Sequence, residues 1–264
     1  MLCDMVLGVI GGSGQLGCAI IQGLVTAKAL PAEQIIVANR SGVRGDLPDA
    51  VRLVSDINEM VAACDVILLS VPPANATTLR LQADGKLVLS VMAGVTLAQL
   101  AKIAGHDRVI RAMSSPAAAE RMAYSPFMLD ACTQDDGAVA EELFGAIGQT
   151  DALTDEAQLD VFTAITGPVP GFVALFADTM IRFAREQGVD DDVAERAVRQ
   201  LFLAAGNEMG AGGASPAKQV QWMIDYAGTT AAGLEAMKAA GIERVVRDGL
   251  AAAVEKSRRI ANDT

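Results

Sequence analysis

VLGVIGGSGQLG, residues 6–17, is the stretch that decides the fold. Mostly apolar residues of strand character, Val6 to Ile10, run straight into Gly12-x-Gly14-x-x-Gly17. A helical pattern, CAIIQGLVTAKAL (18–30), follows at once. Strand, glycine turn and helix in this order make the first crossover of a dinucleotide-binding unit. Gly12 is expected at the tight turn, Gly14 where the backbone approaches a pyrophosphate, and Gly17 where helix and strand pack closely. The pyrophosphate would rest on the exposed N–H groups at the helix start, so Ser13, Gln15 and Leu16 join the three glycines as cofactor-binding candidates.

Outward from this unit, strands and helices alternate. QIIVAN (34–39), DVILLSV (65–71), KLVLSVM (86–92) and RVIRAM (108–113) read as strands, and DINEMVAAC (56–64) as a short helix. Strands apolar at consecutive positions are buried on both faces, and alternation with helices implies a parallel, right-handedly wound sheet. DDGAVAEELFGAIG (135–148) has helical spacing, and QTDALT (149–154) is a last strand candidate.

From about Asp155 the pattern is all helical. A long helix fits 156–187, with Phe172, Leu175, Phe176, Met180 and Phe183 as a packing stripe and Gly188 just past its end. Asp190, Asp191 and Asp192 suit the dipole at the next helix start, whose apolar side is Val193, Ala197, Leu201 and Ala204. GAGGAS (210–215) is a flexible link, Ser215-Pro216 a helix start, and two further helices run from about Thr229 to Ala240 and from Ile242 onward. Two domains are expected: a dinucleotide-binding α/β domain over 1–154, and a helical domain over 155–264. The second is thin for a free-standing core, which points to a dimer.

Composition narrows the function. The 264 residues are 52% hydrophobic but only 4% aromatic, and the formal net charge is −11. That charge argues against a nucleic-acid surface and gives no attraction to anionic lipid. Cys3, Cys18, Cys64 and Cys132 are scattered, as in a reduced cytoplasmic protein. The single histidine, His106, lies in the polar turn GHDR; no metal site and no serine triad are expected. No signal peptide and no apolar run long enough to span a bilayer are read.

The second strand ends Ala38-Asn39-Arg40-Ser41, without the acid that would hold an NAD ribose. Arg40 offers a guanidinium to a 2′-phosphate, and Asn39 and Ser41 add neutral donors, so NADPH is expected over NADH.

These residues, with motifs further along, give a chain that resembles the pyrroline-5-carboxylate reductase family over nearly its whole length. LSVPP (69–73) is similar to the family's LAVKP, SVMAGVT (90–96) to SIAAGIS, and RAMSSPA (111–117) to R-x-MPNTP. TGPVPGF (166–172) loosely matches an SGSGPA-like segment, and DYAGTT (225–230) matches SPGGTT. The resemblance implies a Rossmann domain with a doubly wound, mostly parallel sheet, plus an all-α domain that dimerises. It implies hydride transfer from NAD(P)H to the C=N of a small cyclic imino acid, and adds Val71, Pro72, Ala93 and Gly94 to the cofactor contacts. Gly228, Thr229 and Thr230 open a predicted helix whose free N–H groups and hydroxyls form a carboxylate site, with Thr230 the candidate catalytic residue. Their neighbours Asp225 and Tyr226 complete the candidate substrate site.

The chain departs from the pattern at expected ligand contacts. Pro72 stands for a lysine, Ser114-Ser115 for the residues between methionine and proline, and Asp225 and Tyr226 for serine and proline. Asp225 would repel a carboxylate or select a cationic group. Other readings are a reductase of a different imine or carbonyl, and an NADP-binding regulatory protein without turnover. A 6-phosphogluconate-dehydrogenase-like enzyme ranks lower, because 156–187 contains no lysine.

Overall fold

A computed structural model describes residues 2–39 and 42–263, with side chains through residue 260. Arg40 and Ser41 lie outside the described residues.

The α/β part is built from β1 (Leu7–Ile10), α1 (Gln15–Thr26), β2 (Ile35–Ala38), β3 (Arg52–Val54), α2 (Ile57–Ala63), β4 (Val66–Leu69), β5 (Leu87–Ser90), α3 (Leu97–Ala104) and β6 (Val109–Ala112). After β6 come β7 (Ala123–Tyr124), β8 (Phe127–Leu129), α4 (Gln134–Ala146) and β9 (Gly148–Gln149). The main sheet has the order β3-β2-β1-β4-β5-β6-β8. All neighbours are parallel except β8, which runs antiparallel to β6 with Ile110 opposite Leu129. This is the doubly wound arrangement, and its order reverses between β1 and β4, where such sheets bind ligands beyond their strand ends.

Every residue of β1, β2, β4, β5 and β6 is buried. Leu7, Val9, Val66, Leu68 and Leu89 face one core with α1 and α4. Ile10, Ile67, Leu69 and Val88 face the other with α2 and α3. The period of two explains why these strands read as unbroken apolar runs. β3 and β8 were not expected. Each is three residues long and half open to solvent, too short for a pattern to register. Of QTDALT, only Gln149 falls in a strand, β9, which pairs with β7, and Ala152 adds a bridge to Phe127.

The expected single helix over 156–187 is two, α5 (Glu156–Thr166) and α6 (Val169–Glu186). Pro168 has no N–H to give and marks the break after Gly167. Taken together, Glu156–Glu186 is long and apolar enough by length and composition to cross a membrane, which departs from the sequence expectation. The stretch is uncharged from Val161 to Ala177 when counted through the Gly-Pro break.

α7 (Asp191–Gly210), α8 (Pro216–Asp225), α9 (Thr229–Ala239) and α10 (Ile242–Asp263) follow. Asp190 caps α7 by accepting from Asp192 N, and Ser215 caps α8 by accepting from Lys218 N. Gly188 takes a φ of +86° just past the end of α6. Contacts divide the chain into residues 1–167 with 253–264, and residues 168–252. The sequence boundary near 154 falls before α5, which packs with β8 in the first unit.

In the second unit α6 packs on α7 and α8 on α9, with Phe176 edge-on to Phe202 at 6.2 Å. The expected packing stripe of α6 is not a core of this chain, since Leu175 and Phe183 are 64% and 63% exposed. α7 buries Ala194 and Val198, whereas its expected apolar side, including Leu201, is exposed. Helical periodicity identifies an apolar face but not whether the same chain covers it.

Candidate active site

The glycine turn opens the site. Gly11 holds a φ of +86°, so the left-handed residue of the turn precedes the motif. A Cβ on Gly11 would lie 2.5 Å from Ser70 O. At Gly12 a Cβ would meet Val37 Cγ2 at 2.7 Å, and at Gly17 it would meet Gly11 O at 2.5 Å. Those two positions are glycine because the protein itself leaves no room. Gly14 differs: a Cβ there would meet only Gly11 O, at 3.2 Å. Protein packing hardly explains its glycine, and the open space lies over the start of α1. Gly14 is the N-cap of α1 without a side-chain bond, and the first turn carries no acid. Unfilled N–H groups, positive dipole and room above them suit a diphosphate.

Ser13, Asn39 and Val71, just past the ends of β1, β2 and β4, line one 530 Å³ cleft with Gly11. Asn39 Nδ2 donates to Ser13 Oγ (2.8 Å) and Val43 O (2.6 Å), joining the glycine turn to the loop after β2. Pro72 is exposed and starts the short 3-10 helix Pro73–Thr77. Ala93 and Gly94 occupy the turn after β5, with Gly94 at φ +74°; they do not line this cleft. Sequence reasoning missed Ile57, Asn75, Thr78, Leu79 and Arg80, which also line this cleft. Among the described residues, no acid lines the cleft.

His106 sits in the turn before β6, at the strand starts, whereas the cleft lies past the strand ends, and its Nδ1 accepts from Arg108 N. Burial, followed by Asp136, pushes the Cys132 thiol up to about 11; burial also raises Cys18 and Cys64. None of these three is an activated nucleophile.

The substrate candidates lie in the helical unit. Gly228 is the N-cap of α9 with no side-chain bond, so Thr229 and Thr230 open a helix as bare as α1. Thr230 and Tyr226 line a 400 Å³ cleft with Glu208, Trp222 and Met223. Asp225, the last residue of α8, does not line it; its Oδ1 accepts from Gln221 Nε2 at 2.8 Å. The acid that lines this cleft with Thr230 is Glu208, which sequence reasoning missed because it precedes the motif by a whole helix.

Ala227 holds a φ of +56°. A Cβ in this region costs about 1–2 kcal/mol. Ala227→Gly is therefore expected to stabilise by about 0.5–1 kcal/mol after the entropy of glycine is counted. Thermal melting checks this, and a lower melting temperature would contradict it.

Fold and cleft define a dinucleotide-dependent oxidoreductase with a helical companion unit. A family described as NADP oxidoreductase, coenzyme F420-dependent, matches residues 6–94, and one described as pyrroline-5-carboxylate reductase dimerisation matches residues 156–260. The pyrroline-5-carboxylate reductase of Pseudomonas aeruginosa is 30% identical over 95% of each chain. That of Pisum sativum is 28% identical over 97% of this chain and 96% of its own. The NADP-bound pyrroline carboxylate reductase of Plasmodium falciparum superposes with a TM-score of 0.85 at 21% identity, covering 99% of this chain and 100% of that one. The enzyme of Coxiella burnetii gives 0.85 at 22%, covering 97% and 98%. The chain belongs to the pyrroline-5-carboxylate reductase family.

Proposed function

We propose that this protein reduces the C=N bond of 1-pyrroline-5-carboxylate with NADPH, giving proline. The observation that carries the reading is near full-length kinship with pyrroline-5-carboxylate reductases, on a chain where a Cβ at Gly14 would meet only Gly11 O.

When bound, the reduced nicotinamide supplies a hydride to the imine carbon. The chain's own work is holding and orienting. The first-turn N–H groups of α1 take the diphosphate, and Ile57, Val71 and Leu79 give the cleft an apolar wall. At α9, the N–H groups beyond Gly228 and the hydroxyls of Thr229 and Thr230 take the substrate carboxylate. The imine nitrogen takes its proton from solvent, so no histidine or lysine base is required.

NADPH is preferred because Arg40 follows β2 where an NAD enzyme would carry an acid. The protein forms a homodimer through α6 and α7, whose apolar faces, with Leu175, Phe183 and Leu201, lie open in the single chain. A cytoplasmic setting suits its four free thiols.

The test is NADPH oxidation by the purified protein on pyrroline-5-carboxylate and on a panel of neutral and cationic cyclic imines. Turnover of the first at ordinary enzyme rates is expected; activity confined to the panel would overturn the substrate. Thr230→Ala should raise KM for pyrroline-5-carboxylate about 10- to 100-fold, since a hydrogen bond to a charged group contributes about 1.5–3 kcal/mol. Thr230→Ser should restore most of it. Undiminished kcat/KM in the alanine variant removes Thr230 from the site.

A further inference from the structure

The nucleotide cleft carries a cation that neither the glycine motif nor the end of β2 accounts for. Arg80 lies past β4 and lines the same cleft as Asn39. Its Nη1 donates to Thr77 O at 3.1 Å and Leu79 O at 2.6 Å, which fixes the guanidinium at the end of the 3-10 helix. Both Nη1 hydrogens are used there. Among the described residues, no hydrogen bond or ion pair engages Nε or Nη2. A guanidinium anchored by one nitrogen with its remaining donors free is pre-organised to grip a phosphate.

Its surroundings point the same way. Among the described residues no acid lines the cleft, and a smaller recess also lined by Arg80 includes Lys102 and again no acid. On a chain of net charge −11 this is a local positive region. An anion must be drawn in by such local donors, because the field of the whole protein repels it. Asn39 does not fill the need, because both its amide hydrogens go to Ser13 Oγ and Val43 O. A doubly wound sheet seats the adenosine ribose at the end of β2, and Arg80 lines the same cleft as Asn39, which stands there.

We propose that Arg80 is a specificity-determining residue that binds the adenosine 2′-phosphate from within the cleft it lines with Asn39. This rests on the cofactor reading above and assigns part of the NADPH preference to a residue outside the nucleotide-binding motif.

The test is titration of the full-length protein with NADP+ and with NAD+, for wild type, Arg80→Gln and Arg80→Lys. The glutamine variant should weaken NADP+ about tenfold, equivalent to about 1.4 kcal/mol, and leave NAD+ within twofold. The lysine variant should recover part of the NADP+ affinity. Equal weakening of both dinucleotides would mean that Arg80 shapes the cleft or stacks on adenine, and would overturn the proposal, as would no change with either. Binding is read without turnover. A wild type that binds NADP+ but does not reduce pyrroline-5-carboxylate therefore refutes the activity and leaves the Arg80 result standing.

Discussion

Gly14→Ala is expected to weaken NADPH binding about 30- to 100-fold, the loss of roughly 2–3 kcal/mol of charge-assisted hydrogen bonding, while the protein stays folded. The two effects separate because of what surrounds this glycine. Its φ of −76° and ψ of 164° are ordinary for any L-residue. The added methyl would meet only Gly11 O, at 3.2 Å, a contact relieved by a shift of a few tenths of an ångström. Alanine also lowers the entropy of the unfolded chain, which offsets part of that crowding. The methyl instead occupies the opening above the first turn of α1 and holds a diphosphate away from its N–H groups. Gly17→Ala makes the control. Its methyl would lie 2.5 Å from Gly11 O and 2.8 Å from Gly12 Cα, so the turn itself must move and stability falls with affinity. Titration with NADPH and thermal melting of both variants decide the matter. Normal NADPH affinity in Gly14→Ala would place the diphosphate elsewhere.

The same turn illustrates what a sequence carries. Strand, glycines and helix are local, and the apolar runs of β1, β2, β4, β5 and β6 follow from burial on both faces, so the sheet was legible. β3 and β8 are too short to carry a period, and the antiparallel turn of β8 depends on its pairing with β6. The break between α5 and α6 was in plain view at Gly167-Pro168, but apolar spacing across it outweighed the proline. Arg80 was illegible for a different reason. It lies 40 residues beyond Arg40, and only the strand order β2-β1-β4 brings its segment to the cleft of Asn39. Glu208 and Thr230 likewise meet through helix packing, which no spacing in the chain announces.

Arg111→Met is expected to destabilise the protein by about 2–4 kcal/mol, because it strips the buried guanidinium from two carboxylates. RVIRAM reads as a buried strand, and Arg111 interrupts it with a charge that cannot be neutralised. Its side chain is 2% exposed; Nη1 donates to Glu156 Oε1 and Nη2 to Asp160 Oδ1, each at 2.8 Å. Glu156 Oε1 also accepts from Leu97 N at the start of α3. One guanidinium thus ties α5 to the centre of β6 and, through Glu156, to α3. Arg258 Nε, 3.8 Å from Asp160 Oδ2, adds the end of α10 to the same group. The two carboxylates keep 31% and 16% exposure, and solvent screening holds the loss below that of a sealed triad. If the cost is that of unpaired charge rather than lost packing, neutralising the acids must recover it. Arg111→Met/Glu156→Gln/Asp160→Asn should then be more stable than Arg111→Met alone by at least about 1 kcal/mol, despite carrying two more substitutions. Chemical denaturation of both variants measures the difference, and a triple variant less stable than the single would overturn this account of what pins α5 to the sheet.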